Sequence, residues 1–365
     1  MRILIFNWKD TSHPLAGGAE VFTEELARTL VLRGHEVTLF ASAVTGRPER
    51  ETNAGIDVVR RGGRLGVYRA ARRFWREQPP GRFDVVIDEI NTRPFLTPRW
   101  IRDTPIVALI HQLAREIWFY ETPFPVSVVG RYVLEPWWLR AYRRVPAMTV
   151  SESSAESLML HHGWRDITVL PEGFTPHATP NVAKESRPTV VFLGRLVGMK
   201  RPDHAISAFQ ILVQEFPEAQ LWMIGDGAQL SRLRKSIPPG VQFLGRIDRD
   251  ELDARLPRAH VLIATSVREG WGLNVSEAAI RGTPSIGYNV PGLVDSIRAS
   301  GGALVEPTPD ALGDSLVRFF RGELALMPRV STRPWSEVAG DLERRLSEVI
   351  AAFCPGAGRA LEPEA

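Results

Sequence analysis

The sequence predicts an α/β protein made of two Rossmann-like units in succession. Short apolar runs suited to strands alternate with helical patterns along the 365 residues, and this alternation is typical of parallel sheets covered by helices on both faces. A chain of this length accommodates two ordinary domains. Residues 174–188 hold three prolines and no periodicity, and they divide the alternation into two sets. We therefore expect two domains, joined by a linker, that face each other across a cleft lined by the carboxyl ends of their strands.

Each domain is expected to hold its own alternation of strands and helices. In the first domain, residues 1–173, we predict strands at 3–6, 37–41, 84–87, 106–110 and 148–150, helices at 19–33 and 64–77, and a further helix that opens with the capping box Ser153-x-x-Glu156. In the second domain, residues 189–334, we predict strands at 190–193, 220–224, 241–244, 261–266 and 284–287, and helices at 202–216, 228–236 and 274–281. Apolar residues at helical spacing predict a closing helix over 335–353 that packs back on a domain, and residues 354–365 are expected to form a disordered tail.

The composition favours the cytoplasm. The single cysteine, Cys354, excludes an intramolecular disulfide, as is usual in a reducing compartment. No run reaches the roughly 18 apolar residues expected of a transmembrane helix. Residues 1–150 carry 22 basic and 16 acidic side chains, whereas the remainder carries 23 and 26. A basic first domain could face an anionic acceptor or a membrane surface, although solvated arginines are the simpler explanation, and no nucleic-acid partner is expected.

The most informative motif is a pair of glutamates eight positions apart, Glu269 and Glu277. An apolar strand precedes the pair and a helical pattern follows, so the run forms a strand, a tight loop and a helix N-terminus. Gly270 and Gly272 let the backbone pass close to a ligand, and the helix N-terminus directs N–H groups at a phosphate. The carboxylates would repel that phosphate, but they can accept hydrogen bonds from hydroxyls on either side of it. The motif therefore predicts a nucleotide-sugar site.

Two further motifs suit a diphosphate. Gly194-Arg195 ends the first strand of the second domain and is followed by Lys200, and arginine can bind two phosphate oxygens at once. Near the N-terminus, Gly17-Gly18 precedes the first long helix, where paired glycines permit a close backbone approach at a helix N-terminus. The spacing there is not Gly-x-Gly-x-x-Gly, which argues against a dinucleotide cofactor.

Together these motifs resemble the retaining glycosyltransferases of the GT-B fold, in particular family 4. The resemblance extends over nearly the whole chain and rests most specifically on the E-x7-E pattern of Glu269 and Glu277, supported by Gly194-Arg195, Lys200, Gly225-Asp-Gly227 and Gly17-Gly18. It implies the GT-B fold, with two Rossmann-like domains and a C-terminal helix packing back. It also implies transfer of a hexose-type sugar from a nucleoside-diphosphate sugar, UDP or GDP, with retention and without a metal or other cofactor.

The resemblance further implies a role for each site residue. Arg195 and Lys200 would hold the donor diphosphate, Glu277 would bind the ribose hydroxyls, and Glu269 would lie beside the donor sugar. The other donor contacts would come from Gly17, Gly18, Gly194, Gly225, Arg246, Ile247, Gly272, Leu273 and Asn274. The loop that begins with Pro291-Gly292 departs from the double glycine usual in the family.

The acceptor side is defined by fewer residues. His111 ends a predicted strand and matches the family's active-site histidine near the transferred sugar, so we interpret it as catalytic together with Glu269, Arg195 and Lys200. A histidine at a strand end is also a common structural feature. Asp88, Glu89 and Asn91 end the preceding strand and are candidate contacts for a carbohydrate, lipid-linked or small-molecule acceptor.

Two other signals have ordinary explanations. Asp248-Arg-Asp250 has the D-x-D form that binds metal in the other glycosyltransferase fold, but Asp248 and Glu251 are spaced as a capping box, so we predict no metal site. Residues 118–120 and 126–144 combine aromatics with arginines and could lie peripherally on a membrane or hold a lipid-linked acceptor. We favour a core helix with its arginines turned to water.

Three other functions share part of this pattern. A nonhydrolysing sugar-nucleotide epimerase has the same architecture, but it would not be expected to carry the two glutamates together with Arg195 and Lys200. A catalytically silent nucleotide-sugar-binding subunit would not need the full set of motifs. A nicotinamide oxidoreductase would need the dinucleotide fingerprint that the chain lacks.

Overall fold

A computed structural model describes residues 1–174, 182–330 and 333–353, and the chain forms two compact units. The first unit contains Met1–Ala114, Val129–Phe174 and the chain from Arg333, and the second contains Arg115–Val128 and Thr175–Thr332. Much of the linker expected at 174–188, and the tail expected at 354–365, lie outside the described residues. The segment Arg115–Val128 therefore belongs to the second unit, although it lies within the first half of the sequence.

The sheet of the first unit has eight strands. They are β1 (Arg2–Phe6), β2 (Glu36–Ala41), β3 (Arg50–Asn53), β4 (Ile56–Arg60), β5 (Val85–Glu89), β6 (Ile106–Leu109), β7 (Ala147–Thr149) and β8 (Ile167–Val169). Their order is β3-β4-β2-β1-β5-β6-β7-β8, and all pairs are parallel except β3–β4. The central strands are almost wholly buried, as expected of a parallel sheet covered on both faces. The β3–β4 hairpin was not predicted, because the polar run Arg-Glu-Thr-Asn of β3 carries no strand signal.

The sheet of the second unit has six strands, all parallel. They are β9 (Thr189–Leu193), β10 (Gln220–Ile224), β11 (Val241–Gly245), β12 (Val261–Ala264), β13 (Ser285–Tyr288) and β14 (Ala303–Val305). The order β11-β10-β9-β12-β13-β14 places β9 and β12 side by side at the centre. The loops that follow these two strands therefore leave the same edge of the sheet, next to each other.

Helices cover both sheets and alternate with the strands along most of the chain. They are α1 (Gly18–Leu32), α2 (Val67–Glu77), α3 (Ile117–Glu121), α4 (Val126–Val129), α5 (Glu135–Arg140), α6 (Glu152–His162), α7 (Pro202–Glu215), α8 (Leu230–Leu233), α9 (Arg249–Arg255), α10 (Leu273–Ile280), α11 (Leu293–Ala299), α12 (Pro309–Phe320) and α13 (Trp335–Ala352). One predicted helix start was wrong: Ser151, and not Ser153, caps α6, because its hydroxyl accepts the N–H of Ser154. In the described parts of the chain, no helix is long and apolar enough to cross a membrane.

The closing helix α13 packs on α1 within the first unit, as the sequence predicts. Its apolar face, Val338, Leu342 and Leu346, is fully buried. The ring of Trp335 meets the edge of Phe22 on α1, with 5.5 Å between centroids. The last stretch of the chain thus completes the domain in which the chain begins.

Candidate functional site

The loops that follow β9 and β10 in the second unit lie in direct contact. Gly225 has φ +135°, and a Cβ there would lie 2.0 Å from the carbonyl oxygen of Gly194. A Cβ on Gly227 would lie 2.4 Å from the carbonyl oxygen of Leu196. The Gly225-Asp-Gly227 motif is therefore explained by close backbone packing, which fixes the path of residues 194–196.

Arg195 and Lys200 lie on the loop that follows β9. Both side chains are partly exposed. Lys200 ends a short 3₁₀ turn over Gly198–Lys200, and its carbonyl oxygen accepts the hydroxyl of Thr265 at 2.7 Å. This bond links the loop that follows β9 to the loop that follows β12. Both cations thus lie on the loop that leaves this edge of the sheet.

Lys200 and Glu269 form an ion pair on this edge. The side chain of Glu269 is 10% exposed and that of Lys200 18%. The same carboxylate oxygen, Oε1, also accepts the hydroxyl of Ser266 at 2.5 Å. The neighbouring loop fixes the main chain, because the N–H of Glu269 donates to the carbonyl of Pro291 at 3.0 Å, and Gly292, with φ +82°, lies against the carbonyl of Glu269.

The N-terminus of α10 begins immediately after this loop. Gly272 precedes the helix with φ +96°, in the left-handed region that favours glycine. A Cβ there would lie 2.9 Å from the side chain of Leu293, so the position is also closely packed. Asn274 donates its amide N–H to the carbonyl of Leu193 at 2.9 Å. This bond holds the start of α10 against the end of β9, which brings a helix N-terminus next to the loop of Arg195.

Glu277 lies in the second turn of α10 and is half-buried. Burial raises the pKa of its carboxyl group, while the positive charges of Arg281 and Arg249 lower it less. In the described part of the chain no side-chain hydrogen bond to this carboxylate is observed. The nearby Arg281 donates to the main-chain carbonyl of Glu277. A carboxylate with free acceptor capacity is suited to accept hydroxyl groups.

Two residues predicted to lie near the base follow β11. Arg246 is exposed, and Ile247 packs at the margin of the second unit's core. The adjoining Asp248 caps α9 by accepting the N–H of Glu251 at 2.8 Å. Its position is that of a helix cap, as the sequence predicts.

The segment Arg115–Val128 packs against the Lys200 turn, which sequence reasoning did not predict. Glu121 accepts the N–H of Met199 at 3.1 Å, and the hydroxyl of Tyr120 accepts a hydrogen bond from Arg201 at 2.8 Å. A Cβ on Gly198 would lie 2.6 Å from the carbonyl oxygen of Tyr120. These contacts join residues about eighty positions apart, and no local pattern could have identified them.

In the first unit, Gly17-Gly18 forms the N-terminus of α1. Gly17 is the N-cap residue, and its own N–H donates to the carboxylate of Glu20 at 2.6 Å. The other oxygen of Glu20 pairs with Lys9 at 3.2 Å. This helix end therefore carries a buried carboxylate and a buried cation, in addition to the glycines that the sequence identified.

His111 and Glu89 form a buried pair in the first unit. Nε2 of His111 lies 3.2 Å from Oε1 of Glu89, whose other oxygen accepts the hydroxyl of Thr23 at 2.7 Å. Burial raises the pKa of the Glu89 carboxyl group, and His111 partly offsets this effect. The imidazole also meets the edge of Phe22, at 5.3 Å between centroids. Glu89 thus orients His111 and leaves Nδ1 as the ring nitrogen not engaged by this carboxylate.

The environment of Asp88 indicates a structural role, whereas the sequence suggested an acceptor contact. Its side chain is fully buried and accepts hydrogen bonds from the hydroxyls of Thr97 and Tyr142 and from the N–H groups of Phe95 and Thr97. Burial raises the pKa of this carboxyl group, and the hydrogen bonds partly lower it. Asp88 therefore fixes the loop after β5, and we do not retain it as an acceptor contact.

Asn91 is the third acceptor candidate, and it contacts a residue that the sequence reasoning missed. Its amide donates to Oδ1 of Asn7 at 3.0 Å. Asn7 follows β1 directly and is 1% exposed, and its own amide nitrogen has no partner in the described residues. Its position immediately after the first strand was the signal that could have identified it.

Comparisons with known proteins agree on one family. The model for Glycosyltransferase Family 4 matches residues 16–177, and the model for Glycosyl transferases group 1 matches residues 175–330. The glycogen synthase of Mycobacterium tuberculosis is 25% identical over 338 residues, which cover 81% of this chain and 80% of that protein. The sucrose-phosphate synthase structure from Thermosynechococcus elongatus matches with a TM-score of 0.70 at 17% identity, over 96% of this chain and 100% of that one. Anabaena HepE, solved in complex with UDP-glucose, matches with a TM-score of 0.66 at 16% identity, over 97% and 100%.

Proposed function

The chain belongs to the family 4 glycosyltransferases of the GT-B fold, which transfer a sugar from a nucleotide-sugar donor. On this premise we propose that it moves a hexose-type sugar from UDP or GDP to an acceptor hydroxyl, with retention and without a metal ion. The proposal is carried by one arrangement in the second unit: the ion pair of Lys200 with Glu269 on the edge of the sheet where α10 begins. Arg195 lies on the loop of Lys200, and Glu277 lies one turn into α10.

In this arrangement, separate groups are available for the diphosphate, the ribose and the sugar of a nucleoside-diphosphate sugar. Arg195 and Lys200 hold the diphosphate, and the N–H groups of Gly272, Leu273 and Asn274 face it at the start of α10. Glu277 accepts the ribose hydroxyls, and Glu269 accepts hydroxyls of the transferred sugar. The UDP-glucose complex of Anabaena HepE supports UDP as the first nucleotide to test.

In the reaction, the bond between the anomeric carbon and the diphosphate oxygen breaks. The acceptor oxygen bonds to the anomeric carbon on the same face, and its proton passes to an oxygen of the leaving phosphate. Arg195 and Lys200 stabilise the negative charge that develops on the leaving group, which is the contribution a metal ion makes in other sites. Glu269 orients the sugar and forms no covalent bond to it.

The acceptor is proposed to bind through the first unit and to carry a free hydroxyl on a glycan, a glycolipid or a small metabolite. Asn91 and His111, which Glu89 orients, are the groups we retain for this role. His111 would act near the transferred sugar. The cytoplasmic location remains a prediction.

A donor screen followed by product analysis tests the proposal. The thermal unfolding midpoint is measured with UDP-, GDP-, ADP- and TDP-glucose, and the stabilising donor is then incubated with and without acceptor sugars. We expect stabilisation by UDP- or GDP-glucose, slow release of free nucleotide without acceptor, and an α-linked product by NMR. An isomerised sugar nucleotide would indicate an epimerase instead, and binding without release or transfer would indicate a silent subunit.

A further inference from the structure

A helical run in the first unit has apolar side chains on both of its faces. It begins at Val129, the last residue of α4, and continues through a π-helical turn, Gly130–Leu134, into α5. Its inner face is anchored in the core by Leu139, which is 2% exposed, and Tyr142 in the turn after α5 is fully buried. Glu135 is also buried on this side and accepts the N–H of Ala114 at 2.8 Å.

The outer face of the run is apolar where a surface helix usually carries polar residues. Val129, Tyr132, Val133 and Trp137 are 43%, 63%, 57% and 51% exposed. Val129, Val133 and Trp137 recur at intervals of four, and Tyr132 adjoins Val133, so the four residues form one stripe along the run. The interpretation favoured from the sequence, a core helix with arginines towards water, accounts for the inner face but not for this stripe.

The exposed charges near the stripe are positive. Residues 129–146 contain four arginines and one acidic residue, and that residue is the buried Glu135. Arg143 and Arg144 are exposed in the turn that follows α5, and neither pairs with a carboxylate of the described residues. The guanidinium of Arg99 lies over the ring of Trp137, 4.4 Å from its centroid, and so adds a further positive charge at this face.

We propose that this surface, formed by Val129, Tyr132, Val133, Trp137, Arg143 and Arg144 and here named the aromatic–arginine face, docks on an anionic lipid membrane. The apolar side chains enter the boundary between headgroups and acyl chains, and the arginines bind lipid phosphates. Tyrosine and tryptophan suit this boundary because each has an apolar ring and a polar group. A second copy of the chain is a poorer partner, since a two-fold contact would place the basic cluster against itself. The inference goes beyond the proposed function and does not depend on the donor.

Vesicle co-sedimentation of the full chain tests the charge requirement. One set of vesicles contains phosphatidylcholine only, and the other contains phosphatidylcholine and phosphatidylglycerol in equal parts. We expect binding to the anionic vesicles that weakens as salt is added, and markedly weaker binding to the neutral ones. Absence of binding, or equal binding to both, overturns the proposal.

Variants of the face then locate the contact. Arg143→Gln with Arg144→Gln is expected to weaken binding to anionic vesicles about thirtyfold. Arg234→Gln with Lys235→Gln removes the same charge from two exposed residues of the second unit and is expected to leave binding unchanged. Trp137→Ala is expected to weaken binding about tenfold or more, because it removes apolar area from the membrane contact.

The thermal unfolding midpoint of each variant shows whether the fold is intact. It should change little, because these side chains are largely exposed. An equal loss of binding in the control pair shows a general charge effect and overturns the assignment of the face. Analytical ultracentrifugation without lipid provides a second test. A dimer that Trp137→Ala dissociates would show that a second copy covers the face, which also overturns the proposal.

Discussion

Lys200 and Glu269, 69 positions apart in the sequence, form an ion pair that joins the loops after the two central strands of the second sheet. The pair is mostly buried, and Ser266 donates to the same carboxylate oxygen. Leaving a buried charge without its partner costs folding free energy, so the ion pair favours the arrangement in which the two side chains stay in contact. Lys200 therefore positions the sugar-binding carboxylate as well as contacting the diphosphate in the proposed reaction.

Substitution of the residues around this pair is expected to abolish most of the transfer activity. Lys200→Ala, Glu269→Gln and Arg195→Ala should each lower kcat/KM about a hundredfold to a thousandfold, because each removes a group that stabilises or orients the reacting atoms. Initial rates with the donor found by the screen measure the effect. Each variant should still fold, although the unfolding midpoint should fall where Lys200 or Glu269 loses its partner, and thermal unfolding checks this.

A matched control comes from an exposed glutamate of the same unit. Glu251→Gln removes a carboxylate that pairs with Arg255 on α9, and it should leave the rate within twofold of the native value, because exposed pairs contribute little. Native activity in any of the three site variants would remove that residue from the mechanism.

The elements with strong periodicity were the ones that sequence reasoning predicted well. The closing helix was placed at 335–353 and is observed at Trp335–Ala352, because its apolar residues recur over several turns. The central strands were found from their short continuous apolar runs, and the resemblance to family 4 is confirmed by the family models. The β3–β4 hairpin and the path of Arg115–Val128 were missed, because tertiary contacts and not local pattern determine them.

The position of a residue relative to a strand predicted where its main chain lies, but not whether its side chain is buried or exposed. Asp88 and Asn91 both follow the apolar part of β5, and the sequence treats them alike. The structure separates them, because Asp88 is enclosed by Thr97 and Tyr142 whereas Asn91 remains partly exposed. Burial of this kind depends on residues more than fifty positions away, which a single sequence does not reveal.

Asp88→Asn is expected to lower stability without lowering the activity of the folded enzyme. The asparagine amide would face groups that donate hydrogen bonds, so at least one buried donor would lose its acceptor, at a cost of about 2 kcal/mol in the free energy of unfolding. Denaturant unfolding measures the change. Asp57→Asn, at a more exposed carboxylate that pairs with Arg50, should change stability by less than about 1 kcal/mol. An unchanged stability with a raised acceptor KM would instead make Asp88 an acceptor contact.

The contacts between α3 and the Lys200 turn are expected to affect donor binding. Glu121→Ala removes the acceptor for the N–H of Met199, and Tyr120→Phe removes the acceptor for Arg201. Each should raise the donor KM about fivefold with little change in kcat, because one hydrogen bond that fixes the turn is lost. Glu152→Ala, at an exposed position of α6 in the first unit, is the control. A donor KM that stays at the native value in both variants would show that the turn is fixed without α3.

Glu277 should make donor binding depend on pH in a defined direction. Burial raises the pKa of its carboxyl group, so the group takes up a proton at a higher pH than an exposed glutamate does. Only the ionised form offers both oxygens to the ribose hydroxyls. The donor KM should therefore be constant at pH values above the raised pKa and should increase as the pH falls through it. Steady-state kinetics over a pH series, with kcat and KM determined separately, measures this dependence.

Glu277→Gln separates this carboxylate from other titrating groups. The variant should have a donor KM about tenfold higher than the native enzyme at neutral pH, because charge-assisted hydrogen bonds are lost, and this KM should no longer rise at lower pH. A donor with a deoxyribose should bind the native enzyme as weakly as the variant binds the ordinary donor, and the variant should not distinguish the two donors. If both enzymes lose the same affinity on removal of the hydroxyl, the two effects are independent, and Glu277 does not contact the ribose.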